Sequence, residues 1–288
     1  MDPQTIIIAA LLLSIVLFVV SLGLHADLQE ILYLPRRPAQ LARAMGSMYV
    51  VMPVVAVALA LWLPLLPTIK VALLCLSVSP IPPLLPKRAT KAGGDEGEAL
   101  SLLVAAAFAS IVVTPLGVYL IGRVFGQETQ IPPLKVAATV AMTILAPLAA
   151  GLLIHRFAPR LADRLRKPVA ALSTILLVAA ALPVLIKLGP SMLALVGQGT
   201  LIAMLAFSLV GLVAGHLLGG PRIEDRASLA VMTAARHPGV AVAIATINMP
   251  DPNPIAAAIL LYLLICGVLG FGYVAYLRKA HARPAPAV

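Results

Sequence analysis

The stretch SPIPPLLPKRATKAGG, residues 79–94, decides how this chain is read. Pro80, Pro82, Pro83 and Pro86 interrupt an apolar run, and Lys87, Arg88 and Lys91 follow at once. Proline lacks a backbone donor and clashes with the preceding turn, so a helix cannot pass through unbroken. A second stretch, TAARHPGVAV (residues 233–242), breaks another apolar run at Arg236-His237-Pro238-Gly239. In lipid, a broken backbone survives only where protein buries it or where it lines a cavity. If the chain around them is membrane-embedded, the two breaks mark its interior.

The composition puts it there. Of 288 residues, 61% are hydrophobic and 11% are charged, with a mean hydropathy of +1.04. A soluble domain carries about 25% charged residues. Apolar runs bounded by Pro, Gly or charge fall at 5–26, 41–63, 70–97, 99–122, 134–155, 168–188, 198–219, 227–249 and 254–277, which predicts nine spans. The N-terminus has no basic segment before its apolar run, so 5–26 reads as a retained helix. The net charge of +10 is spread over short loops with no interleaved aromatics and does not point to nucleic acid. Cys75 and Cys266 lie within apolar runs and read as buried thiols.

The breaks fall in the third and eighth spans. An odd offset reverses the direction through the membrane, so the two broken helices are expected to run antiparallel, as in an inverted-repeat transporter. Thirteen Lys and Arg lie in the loops and tail on the side of the C-terminus and four on the other. The positive-inside rule then puts the C-terminus in the cytoplasm and the N-terminus outside, with a cytoplasmic tail at 278–288. Lys87, Arg88, Lys91 and Arg236 are left over, and all four belong to the broken spans.

Ionisable groups at membrane depth mark function by default. Lys87, Arg88 and Arg236 are therefore candidate anion contacts, joined by His237, Thr233, Ser79 and Ser101 as donors. For Thr233 and Ser79 the plainer reading is back-bonding to their own helix, and for His237 a neutral ring bonded to a carbonyl. Asp95, Glu96 and Glu98 read as a solvated loop whose charges offset the lysines. Enzyme signatures are missing: there is no H-E-x-x-H, no G-x-S-x-G and no P-loop. His25, His155, His216 and His281 are scattered near span ends and form no ligand set.

The stretches HADLQEILYLPRRPAQLARAMGSMYVVMPVVAVAL (25–59), ALSLLVAAAFASIVVTPL (99–116) and RHPGVAVAIATI (236–247) resemble the bile acid:sodium symporter family. The resemblance implies an all-α polytopic membrane protein with two broken, crossing helices. It also implies a panel domain of about 5–26 and 134–188 beside a core domain of about 41–122 and 198–277. Family members hold two sodium ions near the crossing. By that resemblance, Lys87-Arg88 stand where the family has Ser-Asn, Met48 and Met232 where it has Gln and Glu, and Arg236-His237 where it has Gln-Asn. Ser101 keeps a hydroxyl ligand and Ala105 loses the next. Two like charges ~4 Å apart repel by about 4 kcal/mol at an effective dielectric of about 20, so sodium is not expected there and side-chain cations would brace the breaks instead. The function implied is a secondary transporter of a small organic anion in a bacterial-type plasma membrane, working by alternating access without sodium, a cofactor or catalysis. A sodium-coupled symporter of the same family, and a channel or non-transporting scaffold, are the rival readings. The orientation is testable directly: a C-terminal tag should resist protease added outside intact cells and be cut in inverted vesicles.

Overall fold

The computed structural model describes residues 3–91, 93–126, 132–197, 199–251 and 253–281, and leaves the side chains of residues 3–5, 8, 278, 280 and 281 and of Lys87, Arg88, Lys91 and Glu96 outside that description. The described residues are helical throughout, with turns between and no strand. In chain order they form α1 (Pro3–Gly23), α2 (Leu28–Ile31), α3 (Pro38–Gly46), α4 (Met52–Trp62), α5 (Pro67–Ser77), α6 (Leu85–Lys91) and α7 (Glu96–Val124). Then come α8 (Pro133–Val140), α9 (Ala146–Phe157), α10 (Pro159–Ala194), α11 (Thr200–Leu218), α12 (Ile223–Ala234), α13 (Pro238–Asn248) and α14 (Asn253–His281).

Seven helical segments among the described residues are long and apolar enough to cross a membrane: Pro38–Trp62, Gly97–Val124, Pro133–Phe157, Pro159–Ala194, Thr200–Leu218, Ile223–Asn248 and Asn253–Leu277. Of the other two expected spans, the first corresponds to α1, 21 residues long, and the second holds the shorter apolar helix Pro67–Ser77. The expected span at 70–97 is not one helix: α5 ends at Ser77, the prolines carry Val78–Leu84 as irregular chain, and α6 adds only seven residues. The span expected at 168–188 is longer than its apolar run, because Pro159 starts the helix at a favourable first position and the charged segment before 168 simply extends it. The exterior of α10 fits a lipid solvent. Leu172, Ile175, Val178, Leu182 and Ile186 recur at helical spacing and are all about half exposed or more, an apolar stripe that water would penalise.

Two long segments pass through a π-helical turn just before a proline: Ser47–Val51 ahead of Pro53 and Ala141–Leu145 ahead of Pro147. Proline supplies no N–H, and the wider i→i+5 turn takes up the lost ladder bond without ending the helix. In an i→i+5 register the donor opposite the Met48 carbonyl would be the N–H that Pro53 lacks.

Small residues set the closest helix contacts. α1 lies against α9 and α10, and α11 lies along α12. A Cβ on Gly23 would come within 2.4 Å of the Leu148 carbonyl oxygen, and one on Gly151 within 2.4 Å of the Val20 oxygen. Gly211 and Gly215 meet Ala234 and Ala230 in the same way. Without a hydrophobic driving force between helices in lipid, such backbone approach is what holds them. Gly151→Leu should therefore lower the Tm of the purified protein by an amount equivalent to about 1–3 kcal/mol or more. Gly267→Ala, whose Cβ meets nothing within 4 Å, should leave it unchanged or slightly raised.

Candidate functional site

The two breaks touch each other. The first exposes the carbonyls of Val78, Ser79 and Pro80 in succession, and each has a donor from a different place. Thr114 on α7 donates its hydroxyl to the Val78 oxygen at 2.7 Å. The Arg236 Nη1 donates to the Ser79 oxygen at 3.3 Å. The His237 backbone N–H donates to the Pro80 oxygen at 2.8 Å. In the second break, the Ala234 carbonyl at the end of α12 accepts from the Tyr262 hydroxyl on α14. Each of these oxygens would cost free energy if left unpaired at this depth, so the fold answers the prolines bond by bond.

Arg236 is the centre of this arrangement. It is fully buried, and its Nη2 donates to the Met48 carbonyl at 2.8 Å, the oxygen that Pro53 leaves without a helical donor. One guanidinium thus ties the π-helical turn before α4 to the first break while sitting in the second. No carboxylate among the described residues pairs with it, and its Nε has no partner among them. Arginine keeps its charge in such places. A hydrogen bond from a charged donor contributes about 1.5–3 kcal/mol, which offsets part of the cost of burying the cation.

The other expected site residues divide. His237 is buried, and its Nδ1 accepts from the Val240 N–H at 3.4 Å, capping α13. The ring proton is therefore assigned to Nε2, which has no partner among the described residues. The Thr233 and Ser47 hydroxyls bond each other at 2.9 Å, joining α12 to the turn that carries Met48. Ser79 turns its hydroxyl back to the Leu76 oxygen at 2.8 Å and offers only its carbonyl to Arg236. Ser101 is fully engaged elsewhere: it donates to the Ile31 oxygen at 2.8 Å and accepts from the Leu34 N–H at 3.0 Å, holding the connection between α1 and α3. Lys87 and Arg88 lie in α6, and their side chains are outside the described residues.

A second polar centre was not anticipated. Asp95 and Glu98 are not a solvated loop. Gly93, at φ 85°, ends α6, and Gly94 sits so close to Ser228 that a Cβ would come within 2.4 Å of its hydroxyl oxygen. That tight turn lays the start of α7 on α12. Asp95 then caps α7, accepting from the Glu98 N–H at 2.9 Å, and its carboxylate pairs with Arg222 at 3.1 Å. Glu98 is 1% exposed. Its Oε1 accepts from the Gln40 amide at 2.6 Å, and its Oε2 has no partner among the described residues. Nearby, Tyr33 donates to the buried Asp225 at 3.1 Å, and both Arg37 and Arg222 donate to the Tyr33 hydroxyl. Burial, with Asp225 and Asp95 adding to it, pushes the Tyr33 phenol up to about 12, so it stays a donor. Asp225 holds the Arg222 guanidinium above its usual range. The missed signal was the D-x-x-E spacing of Asp95 and Glu98, a helix-start pattern.

Two apolar cavities flank the breaks. One, of about 420 Å³, lies between α5, α7 and α13, with Cys75 and Val78 among its lining and Lys70 and Asn248 its polar groups. The other, of about 530 Å³, lies between α4 and α7 and includes Tyr49 and Trp62.

Among known proteins, the chain is similar to the probable sodium/metabolite cotransporter BASS5, chloroplastic, of Oryza sativa subsp. indica and to its counterpart in subsp. japonica. Identity is 27% over 154 residues in each case, covering 50% of this chain and 37% of the relative's length. Residues 10–194, from α1 through α10, match the model of the Sodium Bile acid symporter family. The second break lies beyond that match. With most of the chain matched and its helices apolar enough to cross a membrane, this integral membrane protein belongs to the Sodium Bile acid symporter family of transporters.

Proposed function

We propose that the protein is a secondary transporter of a small organic anion that works by alternating access without sodium. The single observation that carries this reading is the Arg236 guanidinium on the Met48 and Ser79 carbonyls. Sodium needs several oxygen ligands. Here two backbone oxygens at the crossing are taken by a fixed cation, Met232 supplies no carboxylate, and the Ser101 hydroxyl is committed to the α1–α3 connection. The residues present do not fit a sodium site.

In this reading, α1 and α8–α10 form a panel and α3–α7 with α11–α14 a core, nine membrane-crossing units in all. The core halves repeat with inverted topology around α5–α6 and α12–α13. The anion is drawn by Arg236, Lys87 and Arg88 and by the N-terminus of α13, with the Nε2 proton of His237 as a further donor. Thr233 and Ser79 hold the breaks in shape. The apolar cavities beside the crossing suit an anion with a hydrocarbon body. The N-terminus lies outside and the C-terminus in the cytoplasm of a bacterial-type plasma membrane.

Replacing sodium chloride by choline chloride should leave both the Tm of the purified protein and anion uptake into proteoliposomes unchanged. A sodium-dependent rise in Tm would establish instead the ordinary sodium-coupled symporter, and conductance far above carrier turnover would establish a channel. Arg236→Met, which strips donors from both carbonyls, should lower stability by about 2–4 kcal/mol in thermal or denaturant unfolding whether or not sodium is present.

A further inference from the structure

We propose that the Glu98 carboxyl is a proton-binding site and that the proton it takes is the coupling ion of this transporter. The proposal deepens the sodium-independent reading and rests on it.

The site is built, not incidental. Glu98 is buried at the start of α7, with one oxygen fixed by Gln40 of α3 and the other without any hydrogen-bond partner among the described residues. Around it stand Asp95 on its own helix and Asp225 on α12, both acting on its carboxyl. Arg222, Tyr33 and Arg37 join them through the bonds to Asp225 and Asp95. Glu30 of α2 lies beside Gly97. From α12, Ser228 turns its hydroxyl to the Asp95 carbonyl at 3.3 Å. From α6, the side chains of Lys87, Arg88 and Lys91 are outside the described residues. Water reaches the outer members: the Arg222 and Asp95 side chains are 44% and 26% exposed. The cluster is therefore a graded path from solvent to a buried acid.

A metal ion does not suit the place, since no group of three acid, His or Cys ligands converges among the described residues. A proton needs a single oxygen. On binding, an O–H bond forms at Oε2 with a proton from water on one side of the membrane. On release the same bond breaks and the proton returns to water on the other side. The neutral acid no longer repels Asp225 and Asp95. Those two carboxylates hold Arg222, and Asp225 accepts from Tyr33, so the charge on Glu98 bears on the contacts that fix residues 28–37. One turn on, Ser101 holds the same connection. That connection joins α1 to α3, the two sides that move in alternating access.

The test is pH-difference infrared spectroscopy of the full-length protein in liposomes with choline as the only cation. The C=O stretch of a protonated carboxylic acid should appear as the buffer is acidified, and this band should be missing in Glu98→Gln. Gln40→Leu, which removes the closest donor to the anionic form and leaves only the Ser228 hydroxyl near it, should move the band's midpoint to higher pH and covers the case in which Glu98→Gln does not fold. Identical difference spectra in the wild type and Glu98→Gln, or an unmoved midpoint in Gln40→Leu, would overturn the Glu98 site whatever sodium does. A sodium-dependent rise in Tm with the Glu98 band intact would overturn only the sodium-independent reading and leave the proton site standing.

Discussion

The protein depends on finding donors for backbone oxygens that no helix can serve. Prolines at 53, 80, 82, 83 and 86 remove N–H groups inside a low-dielectric interior, and the resulting carbonyls must be paired by something other than bulk water. Arg236 answers for two of them, in two different segments. Its charge is covalently attached, so these two bonds are made by the chain itself. The cost is a buried guanidinium with one nitrogen unpaired among the described residues, held in place because the oxygens around it need it as much as it needs them.

The two polar centres are not independent, because α12 carries both. Asp225 lies near its start, and Arg236 follows its last residue. At ~1.5 Å per residue the helix separates them by roughly 16 Å. α7 reaches both as well, with Asp95 and Glu98 at one end and Thr114 bonding the first break further on. A shift of α12 along α7 would carry Asp225 and Arg236 together and change the surroundings of Glu98. The close backbone approach of Gly211 and Gly215 to Ala234 and Ala230 makes α11 part of the same rigid group.

Much of this was legible in the sequence, and what was missed has physical causes. Proline placement disclosed both breaks, since a ring without an N–H acts locally. Arg236 stood out because a cation in an apolar run must find partners, although which carbonyls it takes depends on the fold. The Met48 carbonyl is freed by Pro53, five residues away, and only the π-helical register makes that connection. Glu98 was misread because a run of three acids after three bases looks like a wet loop. Its burial follows from Gln40, 58 residues earlier in the chain, and from the Gly93-Gly94 turn that lays α7 on α12. Ser101 is a different case. Its position matches a ligand pattern by resemblance, and its hydroxyl bonds Ile31 and Leu34, a contact that spacing alone does not reveal.

The buried thiol of Cys75 has a practical consequence. It is unpaired with any other cysteine, sits on α5 just ahead of the first break and lines the 420 Å³ cavity. Cys266, the only other cysteine in the sequence, is also buried. Away from water a thiol is slow to form the thiolate that reacts, so neither sulfur is a ready target and both cysteines can stay in place. A reporter cysteine placed on the exposed stripe of α10 can therefore be labelled without first removing the native ones.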